Sequence, residues 1–426
     1  MQSRPSLPGA VREGGPVSTA RAPLRPLDEA LAELLSRARP LADTEQVATF
    51  DADGRVLAQE VVSLLHVPPQ DNSSMDGYAL RCADVAPAGV VLPVSQRIAA
   101  GSSGAALLPG TAARIFTGAP VPSGANTIVM QEDCEPADDG RAVRVNIVPT
   151  PGQWIRRAGE DVTRDAVVLH QGERLSPASL GLAASIGMAQ LTVRRKPRVA
   201  LFSTGDELVM PGDVAPQDMR AGAIYNSNRF FLRALLLRLG CEVTDLGIVP
   251  DRLDATVQAL LDAAHAHDLI LTSGGVSVGE EDHIKPAVQR LGELNLWQIA
   301  IKPGKPFAYG QVGGTHFIGL PGNPVSSFVT FLLLVRPFLL KLSGCNCVDT
   351  KTTALSAHFN WPRADKRREF LRVWRNPQGG LDLFPNQSSG VLTSAVWGDG
   401  LVELEPGQTV AHGDVVRFIP FSELVA

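Results

Sequence analysis

Three glycine-rich segments each follow a run of apolar residues, and their composition suits the binding of phosphate or another oxyanion. Glycine lets the backbone approach an oxyanion closely, and amides at the start of a following helix can donate hydrogen bonds to it. Because ligands of parallel sheets bind where the strands end, we expect the three segments to form one phosphate cradle. The segments are Ser203-Thr-Gly-Asp-Glu207, Thr272-Ser-Gly-Gly-Val-Ser-Val-Gly-Glu-Glu-Asp282 and Gly319-Leu-Pro-Gly-Asn-Pro324.

Carboxylates in or beside the turns form a second group. Hard oxygen ligands beside a phosphate site are what Mg²⁺ uses, since it keeps several waters and bridges substrate phosphates. Glu207 and Asp282 adjoin glycine segments and favour such a role, whereas helix capping or solvation explains Glu280 and Glu281 better. The turn carboxylates are Asp71, Asp76, Asp161, Asp206, Glu207, Asp251, Glu280, Glu281 and Asp282.

Positive charge is the third component. Ile301-Lys-Pro-Gly-Lys-Pro306 places Lys302 and Lys305 in a rigid turn after an apolar strand, where they could meet an anion at little ordering cost. A solvated turn is an equally good interpretation of this pair. Arg156 and Arg157, beside Glu160 and Asp161, form a similar loop of mixed charge, which suits an anion together with its metal ion.

Several familiar enzyme classes are disfavoured. Neither the Walker sequence nor Gly-x-Gly-x-x-Gly occurs, which disfavours P-loop ATPases and dinucleotide-dependent dehydrogenases. Without a His-Glu-x-x-His pattern, a zinc hydrolase is also disfavoured. Gly275-Val-Ser-Val-Gly279 has the spelling of a hydrolase elbow, but it belongs to a longer glycine segment and not to a sharp strand-to-helix turn.

The elements that would position these groups alternate between strand and helix from Pro197 to Cys345. Mostly apolar strands in such an order are typical of a parallel sheet covered by helices on both faces. The fold class is therefore multidomain α/β plus β, with a doubly wound, mostly parallel α/β domain. We predict strands at 198–202, 242–249 and 268–272 and near Ile299 and Phe317, and helices at 226–239, 251–266, from His283 and at 325–342.

The rest of the chain predicts smaller units. An amphipathic helix starts after Pro26, turns alternate with short apolar runs over 85–150, and Ser176-Pro177 begins a helix as N-cap and first residue. In the tail, stretches of alternating apolar and polar residues are separated by glycine-rich turns, which predicts a small β-barrel-like unit. The predicted division is a mobile leader at 1–25, an N-terminal helical and β linker domain at 26–70 and 160–196, an inserted β domain at 71–159, the α/β domain at 197–345 and a β-barrel-like domain at 346–426.

Composition limits location and partners. The chain of 426 residues has 39 basic and 44 acidic side chains, a net charge of −5, so no global basic field exists to bind nucleic acid. The five scattered cysteines and the lack of an apolar leader favour a reducing, cytoplasmic location. The apolar run 328–335 ends at Arg336-Pro337, too short for a membrane span, and predicts a buried helix.

Seven motifs follow one another along the chain. They are Asp71-Asn-Ser-Ser-Met-Asp-Gly-Tyr-Ala79, Ile115-Phe-Thr-Gly-Ala-Pro-Val-Pro-Ser-Gly-Ala125, Gly159-Glu-Asp161, Ser203-Thr-Gly-Asp-Glu207, Thr272-Ser-Gly-Gly-Val-Ser-Val-Gly279, Lys302-Pro-Gly-Lys-Pro306 and Gly319-Leu-Pro-Gly-Asn-Pro-Val325. In this order they resemble the signature set of the molybdopterin molybdenumtransferase family, the MoeA-type enzymes that are similar to the gephyrin E domain. The resemblance runs from about residue 25 to the C-terminus.

The resemblance implies a Mg²⁺-dependent, four-domain homodimer. It would insert molybdate into adenylylated molybdopterin and release AMP, and it could meet the molybdopterin adenylyltransferase and recipient molybdoenzymes. In that family the site lies between the α/β domain of one subunit and loops of the other, which would supply Asp71, Thr117 and Asp161.

The candidate site residues follow from the loops and the resemblance together. For catalysis they are Glu207, Asp282, Asp71, Asp161 and Asp251, and for Mg²⁺ they are Glu207, Asp251 and Asp282. For substrate they are Thr117, Ser273, Gly274, Gly275, Ser277, Gly279, Lys302, Lys305, Pro321, Gly322, Asn323, Arg372 and Ser389, the last two resembling positions of the molybdate-binding region.

Alternatives stay open at this level. The adenylyltransferase that makes the adenylylated pterin resembles residues 197–345, and a nucleotide-amide deamidase family has a similar α/β unit. A non-catalytic, gephyrin-like scaffold is the alternative from a different class. One departure from the family concerns Gln298, which stands where many relatives have a lysine, so an amide replaces a charge there.

Overall fold

The computed structural model describes residues 24–275 and 283–425, and the structural statements below concern these residues. They fold into two compact units. Unit 1 contains the described residues up to Arg39, those of Lys196–Leu342 and those from Val348 onward, and unit 2 contains Pro40–Arg195 and Ser343–Cys347. Arg25, predicted as the end of the leader, donates its backbone N–H to Gln298 O at 2.7 Å and is therefore part of unit 1.

Unit 2 is built from short strands around three small cores. Its six-stranded sheet has the order 127–130, 77–80, 112–115, 90–98, 142–145, 134–137. Helix Pro177–Ser185 begins as predicted, because Ser176 and Ser179 form a capping box and Pro177 takes the first helical position. The strands are Thr44–Ala48, Val61–Val62, Asn72–Ser73, Gly77–Leu80, Val90–Ile98, Ala112–Ile115, Thr127–Met130, Cys134–Ala137, Ala142–Val145, Ile155–Arg156, Val167–Leu169 and Gln190–Arg194.

The sheet of unit 1 confirms the predicted, mostly parallel α/β domain. Its order is 242–249, 198–204, 269–273, 315–320, 306–312, 292–298, and only the strand 306–312 runs against the others. Strand Leu269–Ser273, in the middle of the sheet, is buried at every residue, whereas the edge strand Glu242–Val249 has exposed residues at alternate positions through most of its length. This contrast is expected when helices cover both faces and one edge stays open.

Helices complete the α/β domain close to the predicted positions. Leu27–Arg37, Ser227–Arg238, Leu253–Ala264 and Ile284–Leu291 are α-helical. A longer helix runs over Pro324–Leu342, with a π-helical turn at Phe331–Val335. Among the described residues this is the one helix long and apolar enough to cross a membrane by length and composition, and 83% of its most apolar window is buried within the protein. It is therefore a core helix, as predicted.

The C-terminal part of unit 1 is a β domain, which confirms that part of the fold class. The order of its main strands is 301–302, 368–375, 400–404, 415–420, 353–356, so the short strand carrying Lys302 joins this sheet. The remaining elements are strands Leu208–Val209, Ile224–Tyr225, Gly292–Gln298, Ile301–Lys302, Pro306–Val312, Thr315–Leu320, Thr353–Ser356, Arg368–Arg375, Leu381–Leu383, Gly400–Leu404 and Val415–Pro420, and helices Thr393–Trp397 and Phe421–Val425. The division into four domains stays a prediction.

Candidate functional site

A cavity of about 400 Å³ lies in unit 1 at the carboxyl edge of the parallel sheet. All three predicted glycine segments contribute to its wall, so the structure brings them together. The lining residues are Thr204, Glu207, Leu208, Ile224, Tyr225, Asn226, Ser227, Asn228, Ser273, Gly274, Pro306, Pro321, Gly322, Asn323, Pro324 and Ser326.

Strand register explains why the segments meet. Ser203 lies opposite Ser273, which in turn lies opposite Leu320, so three neighbouring parallel strands end at the same level. The hydroxyl oxygens of Ser203 and Ser273 are 3.2 Å apart in the buried interior. The chain therefore leaves the sheet three times within a small region, and each exit becomes a wall of the cavity.

Gly274 and Gly275 permit the close approach of these loops, and Gly322 lies opposite Gly274. Gly274 has φ of +90°, and a Cβ atom there would lie 3.0 Å from the carbonyl oxygen of Thr204. At Gly322 the nearest heavy atom to such a Cβ is the Cα of Gly274, at 3.9 Å. Gly275 has φ of +67°, and a Cβ atom there would clash with Ile284 Cγ1 at 2.5 Å and with Thr204 Oγ1 at 2.9 Å. The positive φ angles at positions 274 and 275 favour glycine for conformational and steric reasons together.

These distances predict that alanine is tolerated at Gly322 but not at Gly274, although both glycines line the same cavity. Gly274→Ala is expected to lower the free energy of unfolding by about 1–3 kcal/mol, because a non-glycine residue is strained at this φ. Gly322→Ala, which has no positive φ and meets only ordinary contact distances, should change it by less than about 1 kcal/mol. Thermal unfolding of both variants measures the difference, and a larger loss for Gly322→Ala contradicts this account.

Glu207 stands at the cavity with its side chain exposed. Its carboxylate lies over Gly205, since a Cβ atom there would be 2.6 Å from Glu207 Oε2. Asp251 follows the neighbouring strand, whose Val249 lies opposite Thr204, and so starts from the same edge. No group of three metal-binding side chains occurs among the described residues. Asp282, Ser277 and Gly279 lie outside the described residues.

Lys302 is placed in an ion-pair cluster with the C-terminal β domain. Its Nζ is 2.8 Å from Glu369 Oε1 and 3.3 Å from Asp365 Oδ2. Burial disfavours the charged ammonium, but the hydrogen bonds and charges of these two carboxylates outweigh it, so the pKa of Lys302 is raised. The lysine is thus held by carboxylates, while the next residues of its turn lead to Pro306 in the cavity wall.

The same cluster predicts a pH dependence of stability. Hydrogen bonding from Arg367, ahead of that from Lys302, holds the pKa of Asp365 far below its usual range. A depressed carboxyl pKa stabilises the fold above the unfolded value of about 3.9, and this contribution is lost as the pH falls toward the folded value. Asp365→Asn should therefore lower the free energy of unfolding by about 1–3 kcal/mol near neutral pH. The difference in this free energy between wild type and variant should narrow below about pH 4.

Urea unfolding at a series of pH values measures this gap. Asp254→Asn serves as the control, because Asp254 has a side chain that is 76% exposed. A gap between wild type and Asp365→Asn that widens on acidification would show that the carboxylate does not stabilise the cluster.

Arg372 and Ser389 are joined through the loop that precedes helix Thr393–Trp397. The Arg372 guanidinium is 1% exposed and donates to Ser394 Oγ, Phe370 O and Ser388 O, and burial lowers its pKa to about 10. Ser389 O accepts a hydrogen bond of 2.9 Å from the backbone N–H of Val325. Arg372 thus supports a loop that contacts the start of the helix beside the third glycine segment.

Three predicted residues belong to unit 2, where loops 71–76, 117–121 and 157–161 lie together. Asp71 accepts hydrogen bonds from Ala158 N at 2.9 Å and Arg157 Nη1 at 2.5 Å, and the bond from Ala158 is the leading cause of its lowered pKa. Thr117 donates its N–H and hydroxyl to Asp76, both at 2.8 Å. Asp161 lines a second cavity of about 400 Å³.

Several cavity residues were missed by reasoning from the sequence. Tyr225, Asn226, Asn228 and Pro306 line the cavity, although none of them belongs to a glycine segment. Asn226 was predicted only as the start of a helix, which it caps by accepting from Arg229 N at 3.3 Å. A helix that begins on the same sheet edge was the available signal, since its first residues must face the same space as the loops.

The fold and the cavity define a multidomain protein whose α/β domain has a cavity lined by glycine-bearing loops at the ends of its strands. Three family models match in succession: "MoeA N-terminal region (domain I and II)" at residues 25–187, "Probable molybdopterin binding domain" at 200–341 and "MoeA C-terminal region (domain IV)" at 354–421. The chain belongs to the MoeA family.

Individual relatives agree with this assignment. A molybdopterin molybdenumtransferase of Haemophilus influenzae is 39% identical over 411 residues, which cover 94% of this chain and 99% of the relative. Molybdopterin molybdenumtransferase 2 of Mycobacterium tuberculosis is 40% identical over 364 residues, covering 82% of this chain and 87% of the relative. The crystal structure of a molybdopterin biosynthesis moeA protein from Pyrococcus horikoshii matches with a TM-score of 0.81 at 28% identity, covering 93% of this chain and 100% of the other.

Proposed function

We propose that the chain acts in molybdenum cofactor biosynthesis as a molybdopterin molybdenumtransferase, inserting molybdate into adenylylated molybdopterin and releasing AMP. The observation that carries the proposal is the cavity in which three glycine-bearing loops and Glu207 converge. The full-length similarity to relatives with this name supports it, since it extends beyond the α/β domain to both ends of the chain.

The residues of the cavity bind and orient an anionic substrate. Backbone groups around Gly274 and Gly322, together with the start of helix Pro324–Leu342, can hold phosphate oxygens. Holding the two anionic reactants together offsets their mutual repulsion before sulfur replaces oxide. Lys305, in the turn before Pro306, adds positive charge on this side of the domain.

Mg²⁺ is the cofactor of this proposal. Glu207 and Asp251 leave the sheet from paired strands, and two carboxylates fit an ion that takes its remaining ligands from water and substrate phosphates. When bound, Mg²⁺ would neutralise phosphate charge. Asp282 joins this set through the sequence, by its place beside the second glycine segment and by the resemblance. The protein's own task is to position these carboxylates at the end of the strands.

The nucleotide that is consumed distinguishes the proposed function from that of an adenylyltransferase. Purified protein is mixed with Mg²⁺, molybdate and adenylylated molybdopterin, and AMP release and bound molybdenum are measured together. Equal amounts of AMP and inserted molybdenum, with no AMP in the absence of molybdate, are expected. If the protein instead consumed ATP with unadenylylated molybdopterin and transferred no molybdenum, it would be an adenylyltransferase and not a molybdenumtransferase.

A homodimer is part of the proposal, with Asp71, Thr117 and Asp161 of one subunit serving the site of the other. Chains with Asp71→Ala and chains with Glu207→Gln are each expected to be nearly inactive alone. Unfolded and refolded together, they should regain about a quarter of the wild-type rate, because half the dimers are mixed and each has one intact site. If activity did not recover in a mixture shown to contain mixed dimers, the proposal of a site shared between subunits would be wrong.

The cytoplasm as location and contacts with the adenylyltransferase and with recipient molybdoenzymes belong to the same proposal. A scaffolding role is the second candidate, because a gephyrin of Dictyostelium discoideum is 31% identical over 363 residues, half of that protein's length. Gel filtration and a pull-down from cell extract distinguish them. A dimer that retains turnover supports the enzyme, and a large assembly without turnover supports the scaffold.

A further inference from the structure

A further cavity of about 350 Å³ lies in unit 1, at the amino edge of the parallel sheet. His316, in its wall, pairs with Leu269 where two central strands begin, whereas Leu320 and Ser273 end the same strands beside the first cavity. A strand rises about 3.3 Å per residue, so about 13 Å of strand separates His316 from Leu320. The two cavities are therefore distinct. The residues that line this arginine cavity are Ser36, Arg37, Arg39, Gln311, Gly314 and His316.

The walls of the arginine cavity carry an excess of positive charge. Among the described residues they include two guanidinium groups and no carboxylate. Arg37 lies 3.7 Å from one oxygen of Glu33, but the other oxygen of that carboxylate is 2.6 Å from Arg25. Arg39 is exposed and has no ion pair within the part of the chain that the structure describes. A local excess of this kind attracts an anion, even in a chain with a net charge of −5.

His316 adds a neutral hydrogen-bond donor. Burial lowers its pKa, against the effect of the Asp268 charge, so the imidazole is uncharged near neutral pH. Its Nδ1 lies 2.9 Å from the hydroxyl oxygen of Tyr309. Burial raises the pKa of Tyr309, and a hydrogen bond from the Gln311 amide to the phenol oxygen opposes this rise. The Tyr309 proton is then directed to Nδ1, which leaves the imidazole proton on Nε2 as a donor for another partner.

A small ligand can reach these groups. The Arg37 side chain is 42% exposed. Gly314, in the turn between two strands, has φ of +94°, and a Cβ atom there would have no described heavy atom within 4 Å. Gln311 and His316 lie opposite each other on the two strands that this turn joins, so their side chains emerge on the same face. The cavity therefore has an open side at the turn and a fixed polar floor.

We propose that the arginine cavity binds a doubly charged oxyanion, either free or carried as the phosphate of a small molecule. Guanidinium groups bind such oxyanions through paired N–H donors, and two of them match two negative charges. A cavity of about 350 Å³ has the size of a small-molecule site and leaves room beyond the oxyanion, which favours a phosphate ester. Stabilisation of the helix end explains Arg37 by itself but leaves Arg39 without a role.

Calorimetry of the whole protein with inorganic phosphate and with glycerol 3-phosphate, in a buffer of low ionic strength, tests this site. The double variant Arg37→Met with Arg39→Met is expected to bind both anions there about 10- to 100-fold more weakly, as for loss of charge-assisted hydrogen bonds. Tighter binding of glycerol 3-phosphate than of phosphate by the wild type assigns the site to esters. Equal affinities assign it to the free anion.

Single variants and a matched control complete the experiment. Arg39→Met alone should weaken binding, and Arg39→Glu should weaken it further because it adds a repelling charge. Arg233→Met with Arg290→Met removes the same charge as the double variant from exposed helical positions of unit 1 outside the arginine cavity. This control should bind both anions like the wild type. No substrate of the proposed function is present, so the result does not depend on molybdenum transfer.

Three results would overturn the proposal. The first is the absence of binding of either anion by the wild type, and the second is an unchanged titration in the folded Arg37, Arg39 and double variants. The third is an equal loss of affinity in the Arg233 and Arg290 control, which would attribute binding to the overall charge of the domain and not to this cavity.

Discussion

Glu207→Gln is expected to fold like the wild type and to insert molybdenum about 10²–10⁴-fold more slowly, the usual scale for a positioned acid or base. The side chain is exposed at the cavity, so replacing its carboxylate by an amide of the same size should not disturb packing. The amide cannot take up a proton at neutral pH and is a poorer ligand for Mg²⁺ than a carboxylate. Both effects reduce turnover.

The neighbouring residue provides the control for Glu207. Asp206→Asn removes the same charge from the same segment, but Asp206 is exposed and outside the cavity lining, so turnover should stay within a few-fold of the wild type. Molybdenum insertion is followed at saturating molybdate with both proteins. Wild-type turnover by Glu207→Gln would refute a catalytic role for Glu207. Equal losses of turnover in both variants would show that the net charge of the segment matters and not the position of the Glu207 carboxylate. Asp282→Asn, outside the described residues, should resemble Glu207→Gln.

Lys302→Met should have two separable consequences. Loss of the ammonium leaves Glu369, which is 2% exposed, without its cationic partner. Removing one partner of a buried pair costs about 3–5 kcal/mol, but the Lys302 side chain is 41% exposed, so we expect about 1–3 kcal/mol. In addition, loss of the positive charge should raise the molybdate concentration required for half-maximal turnover.

A double variant distinguishes the two roles of Lys302. Lys302→Met with Glu369→Gln removes the uncompensated charge and should recover part of the lost free energy of unfolding, while the molybdate requirement stays raised. Lys305→Met is the matched control in the same turn. Urea unfolding and molybdate saturation are measured on all three. An unchanged saturation curve in folded Lys302→Met would leave the lysine with a structural role only.

Much of the fold was predictable because its signals are local. Apolar runs such as Arg198-Val-Ala-Leu-Phe202 depend on neighbours in the chain, and the strand observed there is Arg198–Thr204. The capping box at Ser176 likewise depends on residues three positions apart. The observed strands extend slightly further than predicted, since pairing with neighbouring strands continues into Ser203, Ser273 and Leu320.

The glycine segments were predictable as a set for a related reason. Once three strands are parallel neighbours, their carboxyl ends must adjoin, so segments far apart in the chain reach one cavity without any specific side-chain contact. The helix start at Asn226 was predictable as a cap, but the place of Asn226 and Asn228 in the cavity wall depends on which sheet edge the helix adjoins.

By itself the sequence determined the order of strands and helices, the glycine segments and the family, because periodicity, turn residues and motifs are properties of short stretches. Only the tertiary structure decided which polar groups have partners: Lys302 with Glu369, Arg372 with three neutral oxygens, and Asn228 with the carbonyl oxygen of Gly322. Such pairings depend on side chains that long-range packing brings together and on the burial that makes an unpartnered atom costly, and neither is encoded in a local pattern.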